Sequence, residues 1–382
     1  MLKSICWITI VAMIIPFAGV AQTPKESLHP QDWKLAAQIQ SREVPDLNSG
    51  VAGPVAGFAG DKFIIGGGAN FPDNFPWKGG TKQYYSQLLV YDLNNNGLEL
   101  LSDCIQLPEN LGYAGLAQDK KGFYAAGGEN ENGPVNKVWY FTWDKGRKCL
   151  QSDRLADLPM AVSNGSLALA NGILYFAGGE SIEGTSAKMW KLDSRKKDAI
   201  WQEIADLPEP ASHGVFLNMK NGQLAWVAGR RKTASGISDI YNHLFMYTIA
   251  ANAWQQKASL PLNLAAGTGA VTANGGILLF GGDDASTFSR VEAALVEIAQ
   301  SKTPEEKEER TARKNELQEN HPGFNRNVYF WNPETNAWSV IGELTFPTPV
   351  TTTAIAFKDR VFLPSGEIKA GVRTNNIWMI KL

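Results

Sequence analysis

Close to the C-terminus, a glutamate and an arginine flank a tight turn. The stretch 365–374 reads S-G-E-I-K-A-G-V-R-T, with Glu367 and Arg373 on its two sides. Short apolar runs at 361–364 and 376–381 read as the strands that enter and leave it. Gly366 and Gly371 let the backbone reverse sharply. A carboxylate and a guanidinium brought together at a strand end suit proton transfer and anion binding. The same pair could be a surface ion pair, a contact of little energetic weight. Its surroundings must therefore decide. Glu129, Glu180, Arg230 and Asp283 each follow a short apolar run ending in small residues, as Glu367 does. Asn70, in a long loop rich in Asn, Pro and aromatic residues (68–87), is a further candidate ligand contact.

These positions recur because the chain is a repeat. The apolar runs are FIIGGG, FYAAGG, LYFAGG, LAWVAG, ILLFGG and VFLPSG, ending at Gly68, Gly128, Gly179, Gly229, Gly282 and Gly366. A small-residue strand precedes each, as in 161–170 and 265–273, and a turn such as Asn171-Gly172 joins the two. An aromatic-rich strand follows, then in several units a segment running from Trp to Leu-Pro or Phe-Pro (201–208, 254–261, 338–347). Four short strands per unit of roughly 50 residues is a kelch-type blade. Six units predict an all-β, six-bladed β-propeller. We assign the paired glycines to crowding of the inner strands at the channel. The outer Trp residues have room to pack between blades.

The last unit lacks its outer strand. Trp33-Lys34-Leu35 resembles Trp201-Gln202-Glu203 and is expected to supply it, closing the ring and protecting the sheet edge. Loops between the second and third strands share one face of such a disc. The long ones are 68–87, 230–242 and 283–326. The last is a helical insertion in the fifth blade, about 290–321. Val291, Leu295 and Ile298 share a helix face, and Thr303-Pro304-Glu305-Glu306 reads as a capped helix start. This helical hairpin could be a lid or a dimer contact, and its charged surface reads as solvated. Ring closure sets the 365–374 hairpin between this insertion and the aromatic loop.

Composition narrows the class. The 382 residues carry 37 Gly and 12 Trp, and a net charge of -2 supplies no electrostatic footprint for nucleic acid. Residues 1–21 read as a signal peptide: Lys3, an apolar run over 5–15, and small residues before Gln22. This predicts a periplasmic or secreted protein without a membrane span in the mature chain, formed by one propeller domain over 22–382. Cys104 and Cys149 are expected to be ordinary buried thiols. The four histidines, His29, His213, His243 and His321, show no ligand spacing, so neither a metal site nor a copper oxidase centre is expected. The repeated S-x-D-x-G-x-T-W turns of a sialidase are absent from the sequence.

The stretch 365–374, the G-G-G-A-N-F loop at 66–71 and the helical insertion before Asn332-Pro333-x-Thr335-x-x-Trp338 together resemble the N-acetylneuraminate mutarotase family, also called N-acetylneuraminate epimerase. The likeness spans about 33–382. Its blade order is rotated, as in a cyclically permuted member, which a ring tolerates. The resemblance implies exchange of the anomers of sialic acid, with Glu367 and Arg373 matching the family's functional Glu and Arg. Mutarotation moves protons on and off the sugar as the ring opens and recloses. Glu367 would serve as acid/base and Arg373 would clamp the sugar carboxylate. Aromatics between Phe71 and Tyr85 could stack on the sugar. Asn70, Glu129, Glu180 and Arg230 would add contacts. No cofactor is required. The alternative is a non-catalytic secreted propeller that binds a glycan or a protein on the same face.

Overall fold

The computed structural model describes residues 32–382, except for the side chain of Cys104. The expected leader and His29 lie outside the described residues. Six four-stranded antiparallel sheets surround a channel, forming the six-bladed propeller that the repeats predict. Blade three is representative. Its strands Ser166–Ala170, Ile173–Ala177, Met189–Asp193 and Gln202–Glu203 pair in chain order. Asn171 and Gly172 both adopt left-handed backbone (φ 52° and 76°), the geometry of a two-residue hairpin turn.

The second strand of each blade is apolar without alternation because both its faces are buried. In blade three, Leu174 and Phe176 enter the gap to blade two, while Tyr175 and Ala177 enter the gap to blade four. Six core clusters result, each filling a gap between neighbouring blades. In the gap between blades six and one, Phe58, Phe63 and Phe362 pack with ring centroids 5.2–5.4 Å apart. Burying one such ring contributes about 1.5–3 kcal/mol.

The outer Trp residues join blades through their indole N–H groups. Trp201 donates to Ala156 O (2.8 Å), Trp254 to Ala205 O (3.2 Å) and Trp338 to Ala258 O (2.8 Å), each in the preceding blade. The segments after them are shorter strands than expected. The span 201–208 pairs only over Gln202–Glu203, and 254–261 over Ala253–Lys257. Beyond these strands the chain dives inward, so that Leu207 and Leu260 plug the gaps to the next blade. Lys34–Gln38 closes the ring against Asn376–Lys381, with Lys34 opposite Met379 and Gln38 opposite Asn376. Trp33 completes the seam edge-on to Phe280 and Phe346, at 5.4 and 5.5 Å.

The paired glycines have a different reason from channel crowding. They end the second strand in a left-handed turn that presses on the next blade. A Cβ on Gly178 (φ 67°) would lie 2.2 Å from Ala211 O, the carbonyl to which Gly179 N–H donates (2.9 Å). Blades four and six make the same turn with Ala228 and Ser365 (φ 58° and 55°). Ser365 repays its strain: its hydroxyl accepts from Val51 N–H (2.9 Å) and donates to Thr374 O (2.7 Å), tying blade six to blade one.

The fifth-blade insertion forms two helices, α1 (Phe288–Ala299) and α2 (Pro304–Glu319). Thr303 Oγ1 accepts from Glu306 N–H (3.2 Å), and the Glu306 carboxylate accepts from Lys302 N–H (2.9 Å). Lys78 of the blade-one loop pairs with Glu319 at 3.0 Å, where the end of α2 lies over that loop. Cys149 is half-buried rather than buried, because it opens the outermost strand of blade two; its sulfur accepts from Gln151 Nε2 at 3.0 Å.

Candidate functional site

The site is built from one position repeated six times. Ala69, Glu129, Glu180, Arg230, Asp283 and Glu367 each follow the small pair. Each bridges to Ala52, Gly112, Ser163, Ser212, Ala265 or Val350 in turn. The next residues, Gly53, Tyr113, Asn164, His213, Ala266 and Thr351, all have left-handed backbone, with φ between 52° and 60°. That conformation turns each N–H toward the preceding blade. Gly53 donates to Thr351 O, Thr351 to Ala266 O, Ala266 to His213 O, His213 to Asn164 O, Asn164 to Tyr113 O and Tyr113 to Gly53 O. These bonds of 2.7–3.1 Å form a closed belt around the channel. This belt also explains why the first strands begin at Ser166 and Thr268 rather than at 161 and 265: left-handed Asn164 and Ala266 cannot continue a ladder.

Above the belt lies a cavity of about 520 Å³. Its lining includes Glu129, Glu180, Arg230, Asp283, Glu367 and Arg373, with Phe71 from the blade-one loop and Phe288 and Val291 from α1. The hairpin of blade six sets Glu367 directly opposite Arg373. Glu367 Oε1 accepts from Arg373 Nη1 (3.4 Å) and from the Gly371 N–H. The Arg373 side chain is 6% exposed and that of Glu367 18%, so this is not a surface ion pair. Arg373 also lies over the Phe71 ring at 4.8 Å, and its buried Nε has no partner among the described residues. Gly371 (φ 75°) is needed here: a Cβ would lie 2.5 Å from Pro76 Cγ.

The other carboxylates have distinct environments. Burial would raise the pKa of Glu180, yet it is held well below the usual carboxylate range, because Arg230 lies 3.2 Å and Lys232 2.6 Å away. Ser212 Oγ also donates to it (2.9 Å). Burial and the Arg230 charge push His213 down to about 3, so this imidazole is neutral. Glu129 accepts from Lys82 Nζ (2.8 Å) and Tyr84 OH (2.6 Å); against burial, these hold its pKa below the usual value. Lys82 lies between the Tyr84 and Tyr113 rings, 4.7 and 4.4 Å from their centroids. Asp283 differs from all three. Burial raises it to about 6, with Asp284 and Glu367 adding to the shift. Below about pH 6, where Asp283 holds its proton, four cationic side chains (Lys82, Arg230, Lys232, Arg373) face three glutamates; above it they face four carboxylates.

Asn70 is not part of this lining. It is 1% exposed, and its amide donates to Asp46 O, Ser49 Oγ and Gly50 O while accepting from Tyr85 OH (2.7 Å). Every polar atom of Asn70 is thus spent on holding the 45–50 turn against the loop. Of the loop aromatics, Phe71 lines the cavity. Phe75 and Trp77 stack on each other (4.8 Å), and Tyr85 is buried on Asn70.

A model of the N-acetylneuraminate epimerase family matches residues 155–382, more than half of the chain. The chain belongs to the N-acetylneuraminate epimerase family. Relatives of that name include proteins from Yersinia enterocolitica (28% identical, 60% of this chain and 58% of the relative), Salmonella typhi (28%, 59% and 57%) and Brucella melitensis (26%, 63% and 62%). The chain thus spans less than two thirds of the length of these relatives. In this N-acetylneuraminate epimerase family member, Glu180, Arg230, Asp283, Glu367 and Arg373 fall within the matched region. Asn70, Lys82 and Glu129 lie before it.

Several lining residues of this family member were not singled out from sequence: Lys82, Tyr113, Asn164, Lys232 and Phe288. Tyr113, Asn164 and His213 had a readable signal. Each lies five residues after the Pro of a Leu-Pro pair, in register from blade to blade. Lys82 had none, because its partner Glu129 is 47 residues away and in another blade.

Proposed function

We propose that this protein is a sugar mutarotase that interconverts the anomers of a sialic acid. The observation that carries the reading is the largely buried Glu367–Arg373 pair, facing across one hairpin inside a cavity of about 520 Å³. That volume lies in the range of small-molecule sites. Arg373 lines the cavity with its guanidinium face resting on Phe71, so it can take a sugar carboxylate without losing that support. Glu367 lies beside it to take the proton of the anomeric hydroxyl, and to return it on ring closure.

The relatives' names supply the sugar, N-acetylneuraminate, and the Arg373 guanidinium in the cavity accords with its carboxylate. We also infer a cyclic permutation: the family model begins at residue 155, ahead of the third blade, and runs to the last residue. Export through the 1–21 leader belongs to the same reading. The test is NMR exchange spectroscopy of N-acetylneuraminate with wild type and Glu367→Gln. Catalysed exchange by wild type and its loss in the variant are expected. Saturable binding without exchange would instead make the protein a binding module.

A further inference from the structure

We propose that Asp283 is a second catalytic residue of this site, the group that protonates the sugar's ring oxygen as the ring opens. The inference rests on the mutarotase reading and adds to it a partner for Glu367.

Mutarotation requires two proton transfers at atoms bonded to one carbon. The anomeric hydroxyl loses a proton while the ring oxygen gains one. The two protein groups must therefore be neighbours. Around the ring of six equivalent positions, Glu367 of blade six has two neighbours, Asp283 of blade five and Ala69 of blade one. Ala69 has no proton to exchange, so among these six positions Asp283 is the titratable neighbour of Glu367.

Asp283 also stands apart from the other carboxylates at this level. Glu129 is bonded to Lys82, Glu180 to Arg230 and Lys232, and Glu367 to Arg373. Among the described contacts, Asp283 is bonded to no cation; its Oδ1 accepts from the backbone N–H of Ala285 at 2.8 Å. The charged groups acting on it are Asp284 on its own loop, Arg230 from blade four and Glu367 from blade six. His321, at the end of the helical insertion, lines the same cavity, and burial favours its neutral form. A carboxyl so placed keeps its proton to about pH 6.

The step balances. Glu367 carboxylate takes the proton of the anomeric O–H, whose oxygen becomes the carbonyl of the open-chain keto acid. The bond from the anomeric carbon to the ring oxygen breaks, and its electron pair stays on the oxygen. That oxygen takes the proton of Asp283. After rotation about the adjacent carbon–carbon bond, Asp283 carboxylate takes the proton back as the hydroxyl attacks the other face of the carbonyl. Glu367 returns its proton to the new anomeric oxygen. Nothing is consumed.

The experiment is exchange NMR, corrected for the uncatalysed rate, on wild type, Asp283→Asn and Glu367→Gln between about pH 5 and 8. Asparagine keeps the acceptor for Ala285 N–H. In Asp283→Asn we expect kcat to fall about 10²–10³-fold with KM little changed. In wild type, kcat/KM should decline as pH rises past about 6, and that limb should vanish in the variant. A wild-type rate and an unchanged limb in Asp283→Asn would overturn the inference while leaving the mutarotase reading standing. Absence of exchange by wild type would overturn both. Should the variant not fold, the wild-type profile decides alone: a kcat/KM that is flat across the range overturns the role of Asp283.

Discussion

Glu180 and Glu367 hold the same place in two blades. Each follows the strand-ending turn, and each bridges to the residue before the channel belt. Their side chains lead different lives. Glu180 is gripped by Ser212, Arg230 and Lys232 and is locked in its ionised form. Glu367 meets one guanidinium at 3.4 Å, across a hairpin that opens into the cavity. The repeat thus determines where a carboxylate stands, and the non-repeating loops determine what it can do. A carboxylate bound by two cations and a hydroxyl is a fixture, whereas one held by a backbone N–H and a single long guanidinium contact can exchange that contact for substrate.

That contrast can be broken most directly at Glu367. Glu367→Gln should lower the catalysed exchange rate by about 10²–10⁴-fold while leaving the melting temperature close to wild type. Equal rates in the two proteins would remove the distinction between the two glutamates. Arg373→Lys keeps the charge but loses the planar fork and its stacking on Phe71. It should raise KM for the sugar acid by about tenfold, read from saturation of the exchange rate. An unchanged KM would show that the carboxylate is held elsewhere.

Glu180→Gln should act on stability instead. The folded pKa of Glu180 is depressed from 4.5 to about 2, so its charge stabilises the fold above about pH 4.5. That contribution is lost as the pH falls from about 4.5 to about 2. The variant should therefore be less stable by up to about 3 kcal/mol at pH 7, with the deficit shrinking as the pH falls towards about 2. Urea denaturation at pH 7 and at pH 3 would show it, and a deficit independent of pH would refute the assignment. Asp283 has the opposite sign. Its folded pKa is raised from 3.8 to about 6, so the fold loses stability as the pH climbs through that window. Asp283→Asn should raise stability at pH 8 by about 3 kcal/mol and leave it unchanged below pH 4. A melting series across that range measures the difference. A gain at pH 8, combined with the loss of rate expected above, would mark Asp283 as a group kept at a cost to the fold.

The fold was largely legible because each blade repeats the same local instructions. The glycine pairs, the outer Trp residues and the orphan strand at 33–35 state blade count and closure without reference to distant contacts. Strand ends were less legible. The 201–208 segment is a strand in its pattern, but Leu207 leaves the sheet to fill the next gap, a demand made by the neighbouring blade. Asn70 shows the same limit within the site. A polar residue in a loop after a glycine turn looks available for ligand, yet its amide satisfies three acceptors of the 45–50 segment.

By itself, the sequence determined the ring, the face that carries the long loops and the hairpin that sets Glu367 opposite Arg373. All three follow from periodicity and from turns a few residues long. Tertiary structure alone decided the charge states. Lys82 reaches Glu129 across a blade boundary, Arg230 and Lys232 converge on Glu180, and no cation is bonded to Asp283 among the described contacts. Proton affinity depends on burial and on the charges that arrive through space, and those neighbours come from other blades, beyond the reach of any local pattern.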